Sequence, residues 1–206
     1  MTVCELQYFP PISFFSTLYG ETYFYLDIYE IYRKMSFRNR CLIAGAQGII
    51  SLSVPLQQGR NQQLPMNEVR ISDTEKWQSR HFKSIRSAYN RSPFFDFYAD
   101  ELAAIYQRPF ELLTDWNLCC LEWIKDKLVW RTGIRFTDSA IPYQSDGIMD
   151  LRNRVLPNNF MEWKPVKYRQ VFEERTGFFP NLSILDLLFN CGPRSSELLG
   201  NSDDRV

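Results

Sequence analysis

The apolar residues of this chain change their spacing near residue 72, and that change sets the fold class. Before it, short runs rich in Tyr, Phe, Leu and Ile are bounded by Pro and Gly, the pattern of buried strands and tight turns. After it, apolar residues recur every three or four positions, as a helix with one buried face requires.

Residues 3–9 read as a first strand ended by Pro10-Pro11, residues 12–19 as a short helix stopped at Gly20, and residues 22–29 as a second, buried strand. Residues 41–44 and 49–54 flank Gly45-Ala46-Gln47-Gly48 and predict a hairpin, and residues 67–71 predict a further short strand. Ser72-Asp73-Thr74-Glu75 matches a capping box, in which two side chains each satisfy a free backbone donor, so a helix is expected from there to about Asn90. Ser92-Pro93 restarts a helix whose apolar face is Phe94, Phe95, Tyr98, Leu102 and Ile105, and Pro109 breaks it. A third helix carries Leu113, Trp116, Cys120, Trp123 and Ile124 as a buried stripe.

Residues 131–137 are expected to form another strand. Residues 139–165, rich in Asp, Asn, Pro and Gln, lack a sustained period and predict a long connection, either covering a cleft or simply lying at the surface. A short apolar helix over residues 179–190 stops at Cys191-Gly192-Pro193, and the tail from Gly200 is expected to fray. Together these elements predict an α/β fold: a single domain over residues 1–206, with a mixed, Rossmann-like sheet and a hairpin, packed by a helical middle segment. The strand, proline turn, helix, strand order would place Pro10 and Pro11 at the carboxyl edge of the sheet, where α/β proteins bind ligands.

Several chemistries are excluded by what the chain lacks. Its five cysteines have no Cys-x-x-Cys spacing and it carries one histidine, so neither a zinc site nor a disulfide framework is expected. There is no Gly-x-Gly-x-x-Gly, no P-loop and no Gly-x-Ser-x-Gly elbow, so no cofactor is identified by motif. No stretch reaches the roughly 18 apolar residues that span a bilayer, and no leader pattern opens the chain. The expectation is a reduced, cytoplasmic protein.

Charge is segregated. The chain has 24 basic and 24 acidic side chains, yet residues 32–41 carry Arg33, Lys34, Arg38 and Arg40 with no acid between Glu30 and Glu68. Lys76, Arg80, Lys83, Arg86 and Arg91 form a second acid-free run on a helix. This pattern suits a local anion site, and the neutral total argues against a nucleic-acid partner. Arg38 and Arg40 offer planar forks to phosphate or carboxylate, Asn39 an amide and Lys34 a point charge. The competing reading of the same residues is a solvated edge strand whose charges block aggregation. His81 shares a helix face with Trp77 and Ile85, which reads first as a core position; it is also the chain's one candidate general base.

These blocks resemble the WbqC-like proteins. The resemblance is carried by Tyr8-Phe9-Pro10-Pro11 with Phe14-Phe15, by Tyr32-x-Lys34-x-Ser36-Phe37-Arg38-Asn39-Arg40-Cys41-x-Ile43-Ala44-Gly45-Ala46-x-Gly48, and by Val69-Arg70-Ile71-Ser72-Asp73. It continues through Trp77-x-x-x-His81, Ser87-Ala88-Tyr89-Asn90 and Pro93-Phe94-Phe95-x-Phe97-Tyr98, and ends with residues 180–193. The chain departs from the longer family form, which opens with His-Gln-Pro; Cys4-Glu5-Leu6-Gln7 stands there, and Pro11 replaces a Trp. The resemblance implies O-antigen or lipopolysaccharide biosynthesis and an aminoacyl or related transferase.

Combined with the charge pattern, it predicts a transferase acting on an activated sugar, with an anionic small molecule such as a sugar nucleotide as ligand. Lys34, Arg38, Asn39 and Arg40 would bind its charged groups, Tyr8 and Trp77 would stack on it, and His81 would accept a proton. The alternative is a non-catalytic protein that holds an anionic ligand or an acidic carrier protein.

Overall fold

A computed structural model describes residues 1–73 and 76–201. Four short strands, β1 (Thr2–Cys4), β2 (Tyr23–Leu26), β5 (Gly133–Phe136) and β6 (Met149–Asp150), form one parallel sheet in the order β5-β2-β1-β6. The chain therefore steps outward from β1 to β2 to β5 and then returns to the other side of β1. That reversal is the winding of a Rossmann-like sheet, and it puts a crevice between the carboxyl ends of β1 and β6. Among the described strands the one antiparallel pair is the hairpin, β3 (Arg40–Gly45) with β4 (Gly48–Ser53), which stands as a second sheet.

The helix between β1 and β2, α1 (Ile12–Leu18), starts directly after Pro10-Pro11, because a proline at its N-cap sacrifices no bonded donor. Gly20, at φ 90°, turns the chain into β2. β2 alternates as a half-covered strand should. Phe24 points inward to Phe14 and Trp130, while Tyr23 and Tyr25 face outward beneath the Arg135 guanidinium. In the hairpin the strands run inward to Gly45 and Gly48, leaving a two-residue loop rather than four, and Gly48 supplies the positive φ of 127°.

The middle helices follow the apolar spacing closely: α2 (Trp77–Tyr89), α3 (Phe95–Gln107) and α4 (Leu113–Lys127). The buried face of α2 is Trp77, His81, Ile85, Ala88 and Tyr89. Its first turn has Lys76 at the N-cap with no side-chain bond, and the Thr74-Glu75 half of the expected capping box lies outside the described residues. Residues 66–68 form a 3-10 turn, and residues 70 and 71 make isolated bridges, where a strand was expected.

The long connection contains β6 and a 3-10 turn, and one short helix, α5 (Glu173–Thr176), follows just beyond it. Ser183 caps α6 (Ile184–Cys191), and Gly192, at φ 55°, ends it with a Phe94 ring packed where a Cβ would lie. Pro193 does not stop the chain there but opens α7 (Arg194–Gly200), so Gly200 is helical, and the frayed tail expected beyond it falls outside the described residues after Asn201. Among the described residues no helix is long and apolar enough to cross a membrane.

Candidate functional site

The carboxyl ends of the parallel strands converge on buried charge. Asp27 follows β2 directly and is wholly buried; its carboxylate accepts the backbone N–H groups of Tyr29 (2.9 Å) and Glu30 (3.1 Å) and the Arg152 Nη1 donor at 2.6 Å. Arg152, just after β6, also reaches Asp150 through Nε and Nη2, at 2.9 and 2.6 Å. Burial alone would raise the Asp150 carboxyl, but Arg152 and the Gln144 N–H hold it below its ordinary value.

A second pair lies beside the first. Arg38 Nε and Nη2 grip Glu30 Oε1 and Oε2 at 2.9 and 2.6 Å, and Arg38 Nη1 reaches Asn153 Oδ1 at 2.9 Å. Asn153, held at φ 59°, donates its backbone N–H to Glu5 and its side-chain amide to the Tyr143 hydroxyl, which itself donates to Glu30 Oε2 at 2.9 Å. Burial pushes the Glu30 carboxyl up, against the Arg38 guanidinium. Burial also works against the charge on Arg38, and Glu30 and Glu5 outweigh it, so the guanidinium stays charged.

Above this network opens a cleft of about 900 Å³, within the size range of small-molecule sites. One part of its wall is Ile31 to Lys34, after β2, joined to residues 60–63 by Lys34 Nζ donating to Asn61 Oδ1 at 3.0 Å. The other part is Tyr143, Gln144 and Ile148, after β5, with Asp150 and Arg152 to Arg154 at and after β6. Arg33, Lys34, Arg60 and Arg154 are exposed in this wall and have no carboxylate partner among the described residues. Among the described residues the single acid of the lining, Asp150, is neutralised by Arg152. The result is a net positive basin at the carboxyl edge of a parallel sheet, able to hold a multiply charged anion.

The residues singled out from the sequence divide between this cleft and the core, and Lys34 alone of them lines the cleft. Arg38 is buried beneath it, with Nε and Nη2 bonded to Glu30 and Nη1 to Asn153. Asn39 accepts from the Tyr32 hydroxyl and donates to the Val54 carbonyl, both at 3.0 Å, leaving its amide committed to the hairpin. Arg40 sits in β3 opposite Ser53, away from the cleft lining.

Tyr8, Trp77 and His81 belong to an aromatic cluster in the core, because the apolar face of α2 turns inward onto Tyr106 and Trp116. The Tyr8 hydroxyl lies between His81 Nδ1, at 3.0 Å, and the Tyr106 hydroxyl, at 2.5 Å. Burial lowers the His81 pKa to about 4 despite its bond to the Ser53 backbone, so the ring is neutral at pH 7. These three residues therefore pack in the core, outside the cleft lining. Pro10 and Pro11 are likewise buried and do not line it.

Sequence reasoning passed over Arg60 and Arg154, isolated cations in polar loops, and over Tyr143 and Asn153 in the long connection. Arg33 lay within the basic run but was not chosen. The basic run that singled out Lys34 and the reading of the connection as a cleft cover are the two signals that pointed to this wall.

The blocks that place these residues are matched by the sequence model of the WbqC-like protein family over residues 7–156 and 149–198. The chain belongs to the WbqC-like protein family. No curated protein and no solved structure matches it. Within this WbqC-like chain the family match spans the whole of the cleft wall, from Ile31 to Arg154, as well as the aromatic cluster and α6.

Proposed function

We propose that this WbqC-like chain holds the anionic part of an activated sugar intermediate in the cleft, in the service of surface polysaccharide biosynthesis. Family membership is consistent with such a role in general terms. The observation that carries the reading is the cleft itself: four exposed cations, Arg33, Lys34, Arg60 and Arg154, around a cavity at the carboxyl edge of the parallel sheet. The amides of Asn61, Gln62, Gln63 and Gln144 in the same wall suit the hydroxyl groups of a sugar.

Transfer of an aminoacyl or acyl group to that sugar is a second reading, and one contact favours it. The Tyr143 hydroxyl lies in the cleft wall and donates to Glu30, a carboxylate that burial makes more basic. A substrate amine or hydroxyl bonded to the Tyr143 oxygen could release its proton there while the phenolic proton passes to Glu30. Without such a step the protein is a binding partner in polysaccharide assembly.

Thermal-shift measurements with nucleotide sugars, sugar phosphates, aminoacyl donors and coenzyme A thioesters test the binding reading. A ligand at 100 times its Kd should add about 2.7 kcal/mol to the wild type. The gain should be reduced in Lys34→Ala, whose fold does not depend on that exposed side chain. No stabilisation by any activated sugar would overturn the reading. Mass spectrometry of the bound sugar after incubation with each donor separates transfer from binding alone.

A further inference from the structure

The groups around the cleft select among anions. We infer that the cleft takes the diphosphate group of an activated sugar directly on guanidinium and ammonium groups, with no bridging divalent cation. This inference deepens the proposed function and rests on it.

Two common ways of seating a diphosphate are closed here. In a Rossmann-like sheet the phosphates usually meet backbone N–H groups at the start of the first helix. In this chain that turn contains Pro10 and Pro11, which have no N–H, and the Ile12 N–H is already given to the Leu182 carbonyl at 2.9 Å. The turn is also buried.

The other way is a divalent cation held by carboxylates. Among the described residues Asp150 is the one carboxylate in the cleft lining, and both of its oxygens are occupied. Oδ1 accepts from the Arg152 backbone N–H and Nε, at 3.0 and 2.9 Å, and Oδ2 accepts from Arg152 Nη2 and the Gln144 N–H, at 2.6 and 3.3 Å. Beneath the lining, Glu30 is held by Arg38 and Tyr143, and Glu5 by Gln7 and the Asn153 N–H. Among the described residues no His, Cys, Asp and Glu group is arranged to hold a metal ion. A cation recruited by these carboxylates would have to break the ion pairs that fix the carboxyl ends of β2 and β6.

The free charge is of the other sign. Arg154 spends Nε on the Asp150 carbonyl at 3.1 Å and keeps its two terminal nitrogens for a ligand. Lys34 spends one donor on Asn61, and Arg33 and Arg60 are exposed in the same wall. Guanidinium groups match phosphate oxygens in pairs, and several placed around one cavity suit two linked phosphates better than one. Gln62, which is buried, leaves its Oε1 without a donor, an acceptor suited to a hydroxyl.

The test is titration calorimetry of the whole chain with inorganic phosphate, inorganic pyrophosphate, a sugar 1-phosphate, a nucleoside-diphosphate sugar and a short-chain polyprenyl-diphosphate sugar. Each is measured in EDTA and again in magnesium chloride. The three diphosphates should bind equally well in both buffers, and each monophosphate roughly tenfold or more weaker. Arg60→Gln and Arg154→Gln should each weaken pyrophosphate about tenfold, while Arg175→Gln, an exposed cation outside the cleft, should leave it unchanged. A preference for the nucleoside or for the polyprenyl compound supports the inference and identifies the source of the diphosphate.

Binding that requires magnesium would overturn direct recognition, and equal binding of phosphate and pyrophosphate would overturn the diphosphate class. Either result leaves the cleft as an anion site. Failure of every anion to bind the wild type would overturn this inference and the proposed function together.

Discussion

Arg38 and Glu30 form a bidentate ion pair whose side chains are 0% and 1% exposed, directly beneath the floor of the cleft. The pair joins the loop after β2 to the start of the hairpin, and through Asn153 to the segment after β6. It is a bolt at the carboxyl edge of the sheet, and two consequences follow for any mutational study.

Removing one partner leaves the other charge buried and unpaired. Glu30→Leu and Arg38→Met should each cost about 3–5 kcal/mol, read as a lower urea midpoint. The double variant Glu30→Leu/Arg38→Met should recover much of that loss. Full additivity of the two single losses would show that the pair is not coupled as described.

The cleft cations should behave in the opposite way. Lys34→Ala, Arg60→Ala and Arg154→Ala remove exposed side chains without buried partners, so each should change stability by no more than about 0.5 kcal/mol. Chemical denaturation checks this directly, and the same variants then serve as clean probes of ligand binding.

His81 should make stability depend on pH in a defined window. Its pKa falls from 6.5 to about 4 on folding, so between those values the unfolded chain binds a proton that the native chain refuses. Stability from this group is complete above pH 6.5, declines as pH falls towards 4, and levels off below. The loss amounts to at most about 3 kcal/mol. Urea midpoints of wild type and His81→Asn across pH 4–7 test it; parallel curves would show that the ring does not titrate as described.

Asp186 anchors the last third of the chain. Its buried carboxylate accepts from the Tyr89 hydroxyl (2.7 Å), the Tyr168 hydroxyl (2.5 Å) and Gln170 Nε2 (2.8 Å), and burial pushes its pKa up. Tyr89 in turn accepts from the Ala44 N–H, so the hairpin, α2, α6 and the segment before α5 meet at one oxygen pair. Tyr168→Phe should cost about 1–3 kcal/mol and should speed amide exchange over residues 168–179 more than in α2.

The parts of the fold that were legible are those whose signal is local. The middle helices and α6 announced themselves through apolar spacing and the hairpin through its glycines, whereas α5 and α7 were too short to show a period. The strand at residues 149–150 was invisible, because two residues carry no period, and so was the partner of Asp27, since Arg152 lies 125 positions away. The basic run was correctly seen as unusual, but charge in a sequence does not reveal depth. Arg38 and Lys34 look alike on the page; one is sealed against Glu30 and the other faces the cleft. The Trp77-x-x-x-His81 spacing had two readings, and packing against Trp116 decides for the core.

The placement of β6 also bears on how the protein acquires its site. Its register with β1, Thr2 against Met149, closes a loop of most of the chain, and contacts between such distant positions form late because the entropy of closure must be overcome first. The same stretch supplies Asp150, Arg152, Asn153 and Arg154 to the cleft. A chain that has folded its hairpin and helices but not yet docked this strand has half a basin, so the cleft is complete only in molecules that have finished folding.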